Sequence, residues 1–413
     1  MNILEDAKKI IDYSIESVLP DAAVEKALKA IDLDSISGKT VLVAIGKAAW
    51  QMAKTAYMAL GDRIDDGIVI TKYEHVKSQI PKCRCYEAGH PVPDENSFAA
   101  TREAVSIVSG LNENDTVLFL VSGGGSALFE LPLISAEELQ NITDQMLAKG
   151  MDIVSMNVIR KRLSAVKGGK FAELCAPAHV HTIVLSDIIG DPLDMIASGP
   201  SVPDSSTGKD AKELVERFGL SLSDEALNLL DFETPKKLDN ASYYITGSVS
   251  ELCAAAKDKA DELGYESIVI TDRLTCEARE AGGVFASIAN TYCGSERKKA
   301  FIMGGETVVH LHGNGKGGRN QEMALACAVG LQNAANCVMF SVGSDGTDGP
   351  TDAAGGIVTE NTVKLMAEKG ISAVEYLDRN DAYNALKTVG GLIVTGSTGT
   401  NVNDVSVLLI GGK

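Results

Sequence analysis

Residues suited to binding oxyanions follow the strand-like runs of this 413-residue sequence. Lys47 comes directly after the apolar run Val41–Ile45 and Gly46, at the start of a predicted helix, where the helix macrodipole favours a neighbouring anion. A second apolar run, Val117–Val121, leads into the segment Ser122-Gly123-Gly124-Gly125-Ser126. Three successive glycines can expose backbone N–H groups to a phosphate or carboxylate. Both turns are therefore candidates for anion binding, and a solvated lysine and a flexible turn are the alternatives.

A third glycine-rich segment runs from Gly313 to Glu322 with the sequence GNGKGGRNQE. Gly313, Gly315 and Gly318 match the GxGxxG pattern of a dinucleotide-binding turn. The same segment narrowly misses the phosphate-binding loop GxxxxGK[ST], because Arg319 and Asn320 occupy the last two places. The following helix carries no acidic residue at the ribose-binding distance of about 20 residues. We expect Gly315, Gly317 and Gly318 to contact phosphate, and both phosphate hypotheses stay open beside a plain loop.

Carboxylates follow two further strand-like runs. Asp187 stands in LSDIIGD, and Asp345 stands in VGSDGTDG. Aspartates at strand ends in phosphate-transferring enzymes hold Mg²⁺ or orient a hydroxyl nucleophile. The spacing of Asp345, Asp348 and Asp352 does not fit a calcium-binding loop, which needs ligands at alternate positions. Turn formation is the alternative, since Asp-Gly is a common turn pair.

The densest positive stretch is NVIRKRLSAVKGGK, from Asn157 to Lys170, which includes Arg160. It is either an anion contact or a solvated helix face. Two His-x-His pairs, at positions 179/181 and 310/312, each place both imidazoles on one face of a strand. Neither pair has a third ligand nearby in the sequence, so we interpret both as structural.

Strand-like and helix-like segments alternate along the chain, which predicts an α/β architecture with parallel strands. The predicted strands are 39–46, 67–71, 115–122, 181–186, 242–246, 267–271, 300–311, 337–342, 392–395 and 405–410. The predicted helices are 47–60, 95–110, 136–149, 249–263, 320–331 and 362–368, with an amphipathic helix in residues 1–21. A polar segment with Pro235 predicts a boundary between Asp231 and Asn240, giving domains 1–236 and 237–413. In such folds ligands bind at the carboxyl ends of the strands.

Composition excludes several classes of protein. The net charge is -18, and nucleic-acid binding needs clustered Lys and Arg, so we expect no nucleic-acid partner. No stretch approaches the roughly 20 apolar residues of a membrane span, and no signal peptide is recognisable. The eight cysteines form no CxxC pair. We therefore predict a cytoplasmic protein with reduced thiols and no membrane association.

Taken together, these segments resemble the glycerate 2-kinase family, whose carboxyl-terminal part is called the MOFRL domain. The matching stretches are IGKAAW, GHPVPDENS, SGGGSALFELP, MNVIRKRLSAVKGGK, LSDIIGDPLDMIASGP, GGETVVHLHGNGKGGRNQE and SDGTDGPTDAAGG, with TGTNVNDV near the end. Each stretch alone is modest evidence. Seven of them occur in the same order as in the family, which makes a chance resemblance implausible.

The resemblance implies ATP- and Mg²⁺-dependent phosphorylation of D-glycerate at its 2-hydroxyl. It also implies two doubly wound, Rossmann-like α/β domains, residues 1–236 and a MOFRL-like domain at 237–413, with the active site in the cleft between them. D-glycerate and ATP are the expected small-molecule partners, and a homodimer is left open.

On the matching positions, Lys47 and Arg319 resemble the family's basic catalytic pair, and Gly123–Gly125 its phosphate cradle. We assign catalytic roles to Lys47, Asp187 and Arg319. We assign phosphate or nucleotide contacts to Ser122, Gly123, Gly124, Gly125, Ser126, Gly315, Gly317 and Gly318. We expect Glu306, Asn320 and Arg160 to contact or support the substrate, and Asp345 and Asp187 to bind the metal. Which basic residue faces phosphate and which faces carboxylate stays open.

Two alternative functions are consistent with some of these features. An NAD(P)H-dependent hydroxypyruvate reductase fits GxGxxG, although the missing ribose-binding acid weighs against it. A non-catalytic sensor of small acids would not need basic residues beside strand-end carboxylates.

Overall fold

The computed structural model describes residues 2–331 and 334–413, the side chain of Ser35 excepted. The chain divides into two compact units. One, here called the parallel-sheet unit, comprises Val24–Leu185 and Asp191–Thr246. The other, the mixed-sheet unit, comprises Met1–Ala23, Ser186–Gly190 and Gly247–Lys413. This division after Thr246 falls ten residues beyond the predicted boundary, and the amino-terminal helix groups with the carboxyl-terminal residues.

Helices and strands alternate along most of the chain, as the sequence predicts. The strands are β1 (Thr40–Ile45), β2 (Asp66–Lys72), β3 (Cys83–Ala88), β4 (Thr116–Val121), β5 (His179–Leu185), β6 (Ala241–Gly247), β7 (Glu266–Leu274), β8 (Lys299–Gly305), β9 (Cys337–Gly343), β10 (Gly355–Thr359), β11 (Leu392–Ile393) and β12 (Asp404–Ile410). The helices are α1 (Ile3–Ser17), α2 (Pro20–Ala30), α3 (Ala49–Leu60), α4 (Glu95–Val108), α5 (Gly125–Leu128), α6 (Ala136–Ala148), α7 (Ile153–Leu163), α8 (Lys170–Cys175), α9 (Gly208–Phe218), α10 (Asp224–Leu229), α11 (Val249–Glu262), α12 (Ala278–Tyr292), α13 (Arg319–Gly330), α14 (Thr362–Glu368), α15 (Ala373–Asp378) and α16 (Ala382–Thr388).

The parallel-sheet unit contains one sheet of six strands in the order β3-β2-β1-β4-β5-β6. The neighbours from β3 to β5 pair in parallel register. The two central strands, β1 and β4, are buried along their whole length, as expected when helices cover both faces of a sheet. This is the doubly wound order, in which the sequence order of the strands reverses between β1 and β4. Ligands bind in such sheets beyond the carboxyl ends of the strands at that reversal point.

The mixed-sheet unit has a six-stranded sheet in the order β11-β10-β9-β12-β8-β7. Among the described strand pairs of this sheet, only β7 and β8 are parallel. β12 runs antiparallel to both of its neighbours, and β10 runs antiparallel to β9 and β11. The predicted α/β class is confirmed, but this second sheet is not wholly parallel. The connection from β9 to β10, residues 344–354, contains no helix, and a parallel crossover would require a dozen or more residues.

Helix α13 is buried over most of its length, from Asn320 to Ala328. It packs against α12 through small residues: a Cβ at Gly282 would lie 2.4 Å from the Met323 carbonyl oxygen. Close packing of the two helices therefore fixes the amino-terminal end of α13, where Arg319 stands.

Two further observations concern the cysteines and the helices. All eight cysteines are free thiols. Among the described residues, no helix combines the length and apolar composition needed to cross a membrane.

Candidate active site

In the parallel-sheet unit, the turns after β1 and β4 are bonded to each other. The Lys47 N–H donates to the Gly123 carbonyl oxygen at 2.9 Å. The Ser122 hydroxyl donates to the Ile45 carbonyl at 3.1 Å and accepts from the Ala48 N–H at 3.1 Å. The structure thus brings Lys47 and the glycine segment together at the reversal point of the sheet. Ser122 is buried, and its hydroxyl holds the two turns together.

Gly124 lies at the centre of this arrangement. Its φ of +85° is in the left-handed region, and a Cβ there would lie 2.9 Å from His90 Cδ2 and 3.3 Å from Lys47 Cε. The imidazole of His90 and the stem of Lys47 therefore both lie against this glycine. Burial, and then the positive charge of Lys47, lower the pKa of His90, so this imidazole is neutral at neutral pH.

The other end of the glycine segment is held by buried polar groups. Ser126 Oγ lies 3.0 Å from Ser198 Oγ, and the Ser198 hydroxyl donates to Asn157 Oδ1 at 3.0 Å. The Lys167 ammonium donates to the carbonyl oxygens of Ser126 and Phe129, at 2.7 and 3.0 Å. Burial lowers the pKa of Lys167 to about 8, so the ammonium is still charged at neutral pH.

The basic stretch on α7 has two different roles. Lys161 and Arg162 are buried and pair with carboxylates: Lys161 with Asp194 and Asp204, at 3.2 and 3.1 Å. Arg160 is half-buried, and its Nε is buried without a hydrogen-bond partner among the described residues. The positive charge of Arg160 contributes to the lowered pKa of Lys167. Arg160 is therefore the member of this stretch that remains suited to binding an external anion.

In the mixed-sheet unit, Arg319 is held by two carboxylates. Asp404 accepts from Arg319 Nε at 2.5 Å and from Nη2 at 3.1 Å, and Glu306 accepts from Nη1 at 2.8 Å. Burial opposes the charge on Arg319, but the hydrogen bond and charge of Asp404 outweigh it and raise the pKa of the guanidinium. Burial raises the pKa of Asp404, against the lowering effect of Arg319. The Nε and Nη2 side of the guanidinium is thus occupied by Asp404.

The amino-terminal end of α13 already carries an anion from the protein. The carboxylate of Asp348 accepts from the backbone N–H groups of Asn320 and Gln321, at 3.2 and 2.9 Å. The amide of Asn320 also contacts Asp348, and it accepts from the Ser341 hydroxyl at 2.5 Å. Burial raises the pKa of Asp348 to about 6. Asn320 is therefore a buried structural residue here, and Asp348 occupies the position at which a dinucleotide would place its pyrophosphate.

The glycines before α13 have a packing role in this structure. A Cβ at Gly315 would lie 2.5 Å from the Arg379 carbonyl, and one at Gly318 would lie 2.4 Å from Asp348. Gly317 is less restricted, with its nearest neighbours at 3.4 Å or more. The segment is anchored by Asn380, whose amide oxygen accepts from the His312 and Gly313 N–H groups. Close backbone approach explains Gly315 and Gly318 without a phosphate.

Asp187 follows β5 and groups with the mixed-sheet unit. Its backbone carbonyl accepts from Asn403 Nδ2 at 3.3 Å, and Asn403 immediately precedes Asp404. Asn403 and Asp404 are adjacent, so one two-residue segment bonds both Asp187 and Arg319. This segment lies in the family-like stretch TGTNVNDV, but the sequence alone indicated no role for Asn403 or Asp404.

Asp345 lies in the turn after β9, where its Oδ1 accepts from the Thr347 N–H at 2.9 Å. Asp345 and Asp404 both flank Gly343: a Cβ there would lie 3.3 Å from an oxygen of each. Within the described part of the chain, no three side chains of His, Cys, Asp or Glu come together in a way that could hold a metal ion. A metal here would therefore need ligands from a bound substrate as well.

Four polar residues that the sequence did not single out support these two arrangements. Asn157 and Ser198 hold the glycine segment in the parallel-sheet unit, and Asn403 and Asp404 hold Asp187 and Arg319 in the mixed-sheet unit. Nothing in the local spacing of these four residues distinguishes them from turn residues. The one feature of the sequence that could indicate them is their position inside the stretches that resemble the family.

The two α/β units, with their basic and glycine-rich strand ends, have the features of a small-molecule phosphotransferase. Residues 6–231 match the family described as a domain of unknown function (DUF4147), and residues 299–404 match the MOFRL family. The D-glycerate 2-kinase of Thermotoga maritima is 51% identical over 98% of this chain and 97% of its own length. The glycerate 2-kinase of Pyrococcus horikoshii is 38% identical over 100% and 98% of the two chains. This chain belongs to the glycerate 2-kinase family.

A solved structure supports the same conclusion. The crystal structure of the Thermotoga maritima glycerate kinase superposes with a TM-score of 0.93, at 49% identity over 98% of this chain and 99% of that one. A relative from Agrobacterium vitis, 37% identical over 98% of this chain and 94% of its own, carries a provisional name of hydroxypyruvate reductase. The family expected from the sequence is confirmed.

Proposed function

We propose that this chain is a glycerate 2-kinase, which transfers the γ-phosphoryl group of ATP to the 2-hydroxyl of D-glycerate and releases 2-phosphoglycerate, ADP and a proton. The observation that carries the proposal is the pairing of Lys47 with the Gly123–Gly125 segment at the reversal point of the parallel sheet. A cation beside the backbone amides of a glycine segment at that point is suited to phosphate.

In the parallel-sheet unit, charge and backbone geometry support roles for three groups. Lys47 is an exposed point charge that can neutralise charge on a transferring phosphoryl group. The N–H groups of Gly123–Gly125 can hold phosphate or carboxylate oxygens. Arg160, whose Nε has no hydrogen-bond partner in the described part of the chain, is suited to a carboxylate such as that of glycerate.

In the mixed-sheet unit, we assign the proton of the acceptor hydroxyl to the carboxylate of Asp187, a strand-end residue whose backbone carbonyl accepts from Asn403. Arg319 keeps its proposed electrostatic role, with Asp404 fixing its orientation. Phosphoryl transfer depends on alignment and charge neutralisation, so a guanidinium held in place before the substrate binds lowers the entropic cost of reaching the transition state.

Magnesium is proposed as the companion of ATP. Mg²⁺ is usually bound by one or two carboxylates together with substrate phosphates and water. This agrees with the finding that, among the described residues, no three metal-ligating side chains come together. Asp345 and Asp187 are the proposed carboxylate ligands. When bound, the ion would neutralise charge on the nucleotide phosphates.

The structure disfavours a hydroxypyruvate reductase. The GxGxxG segment precedes α13, in whose first turn the N–H groups of Asn320 and Gln321 are bonded to Asp348 rather than open to a pyrophosphate. We further propose a cytoplasmic location, which agrees with eight free thiols.

The test is a pair of assays on the purified protein. ADP release is measured with D-glycerate, ATP and Mg²⁺, and NADH oxidation is measured with hydroxypyruvate. The product is identified by coupling to enolase and pyruvate kinase without a mutase. Signal without mutase supports phosphate on O2; signal that appears only after phosphoglycerate mutase is added would mean the 3-phosphate and contradict the proposal.

A further inference from the structure

The turn that carries Ser198 has an unusual backbone. Ala197, Ser198 and Gly199 have φ values of +52°, +62° and +62°, so three consecutive residues, two of them with side chains, are in the left-handed region. A non-glycine residue held there is strained, and such residues cluster at functional sites. The turn is stabilised by backbone bonds from Gly168 and Gly169 to the carbonyls of Ser198 and Gly199.

This backbone places the Ser198 hydroxyl between two segments of the candidate site. Ser198 is fully buried, and its neighbour Asn157, on α7, is 2% exposed. The Ser198 hydroxyl donates its proton to Asn157 Oδ1 at 3.0 Å. A hydroxyl has one proton, so in the 3.0 Å contact with Ser126 it is Ser126 that donates and Ser198 that accepts.

The direction of this chain of hydrogen bonds determines what Ser126 can offer a ligand. The Ser126 hydroxyl donates its proton to Ser198, and the Ser126 backbone carbonyl accepts from Lys167. Only lone pairs of the half-buried hydroxyl remain. Phosphate and carboxylate oxygens need donors, so they are poor partners for Ser126, whereas a substrate hydroxyl is a good one.

We propose that Ser198 is a positioning residue that presents Ser126 to the acceptor substrate as a hydrogen-bond acceptor for a hydroxyl group. Ser126 then recognises the hydroxyl that does not react, because a serine oxygen is too weak a base to keep the proton of the reacting one. This inference rests on the proposed glycerate kinase activity and revises the phosphate contact first assigned to Ser126. It makes the second hydroxyl of the substrate a determinant of specificity.

The test compares two 2-hydroxy acids, D-glycerate and D-lactate, which lacks the 3-hydroxyl. Their dissociation constants are measured by titration calorimetry with a non-hydrolysable ATP analogue present. Ser126→Ala, Ser198→Ala and Ser198→Gly should each weaken D-glycerate binding by about threefold to tenfold and leave D-lactate binding unchanged. Ser198→Gly also relieves the left-handed strain, so agreement between the two Ser198 variants would assign the effect to the hydroxyl.

Ser201→Ala is the matched control, because Ser201 is also buried and its hydroxyl bonds Thr182 at 2.8 Å. It should bind both acids as the wild type does. The inference is overturned if the Ser198 variants lose both acids equally, or if D-glycerate binding is unchanged. A wild-type protein that neither binds D-glycerate nor releases ADP with it would instead overturn the kinase proposal, and with it this inference.

Discussion

Asp404 holds Arg319 by two hydrogen bonds, from Nε at 2.5 Å and Nη2 at 3.1 Å, and β12 begins at that aspartate. Side-on pairing with a carboxylate requires the planar fork of arginine. The pair joins the start of α13 to a central strand of the mixed sheet, so the orientation of the guanidinium is set by the fold.

Arg319→Lys should therefore lower kcat/KM by about 10- to 100-fold, because the charge remains but the two-point contact is lost. Asp404→Asn should act in the same direction by weakening the same contact. Separate kinetics for D-glycerate and ATP would show which substrate the guanidinium serves. Arg297→Lys changes an exposed arginine that pairs with Glu266 and is the control, with an expected change of less than about threefold. Unchanged kinetics in both Arg319→Lys and Asp404→Asn would remove Arg319 from the site.

Gly124→Ala should destabilise the protein and abolish most activity. Alanine at φ +85° is strained by about 1–2 kcal/mol, and the new methyl would also displace His90 or Lys47. Gly110 provides a matched control, since its φ is +84° and a Cβ added there would have no neighbour within 4 Å among the described residues. Gly110→Ala should show the backbone cost alone, with normal kcat/KM. Thermal unfolding and steady-state kinetics of the two variants separate strain from steric displacement; equal activities would contradict the proposed role of Gly124.

Much of the fold follows from sequence pattern alone. Strands such as β1 and β4 are continuous β-branched and apolar runs, and such runs are buried on both faces of a parallel sheet. The pattern does not predict β3, with the sequence CRCYEA, because this strand lies at the sheet edge with a half-exposed, charged surface. Nor does it predict β10, which begins with Gly355-Gly356, residues that normally weaken a strand.

The site is less predictable than the fold. Lys47 and Gly123–Gly125 can be found because glycine and lysine at strand ends have a local physical reason to be there. The roles of Asp348 and Asp404 depend on contacts made across 27 to 85 residues of sequence, which local spacing does not encode. For the same reason the pattern suggests phosphate contacts at Gly315 and Gly318, although segment 379–381 packs against Gly315 and Asp348 against Gly318.

Asp187→Asn should lower kcat by about 100-fold or more, because the amide keeps the shape but cannot accept the proton of the acceptor hydroxyl. Asp345→Asn should lower kcat similarly if it binds the metal. Asp239→Asn is a control for loss of charge, since Asp239 is exposed and pairs only with Lys237 at 2.6 Å among the described residues. Wild-type activity in both Asp187 and Asp345 variants would mean that these carboxylates only shape turns.

Asp348 predicts a pH-dependent contribution to stability. Burial raises its pKa to about 6 in the folded protein, above its usual value near 4. The folded state then binds the proton more tightly than the unfolded state, so this contribution is present below about pH 4 and is lost as the pH rises through about 6. Asp348→Asn cannot titrate, so the difference in Tm between wild type and variant should change in favour of the wild type as the pH is lowered from about 7 to about 4. A difference that stays constant over this range would contradict a raised pKa.

The buried pair of Lys167 and Glu130 predicts a large effect on stability. Their side chains are 0% and 1% exposed, and they form an ion pair at 3.3 Å without hydrogen-bond geometry at that Glu130 oxygen. Lys167→Met leaves a buried carboxylate uncompensated and two carbonyls, those of Ser126 and Phe129, without their donor. The cost should be about 3–5 kcal/mol of unfolding free energy.

The double variant Lys167→Met/Glu130→Met tests that account, since it removes the uncompensated charge but not the loss at the two carbonyls. It should therefore be more stable than Lys167→Met alone and less stable than the wild type. Lys237→Met breaks a pair whose side chains are both 80% exposed and should change stability by less than about 0.5 kcal/mol. Urea unfolding of the three variants measures these differences. If the double variant is no more stable than Lys167→Met, the cost lies in the carbonyls of the glycine segment rather than in the charge on Glu130.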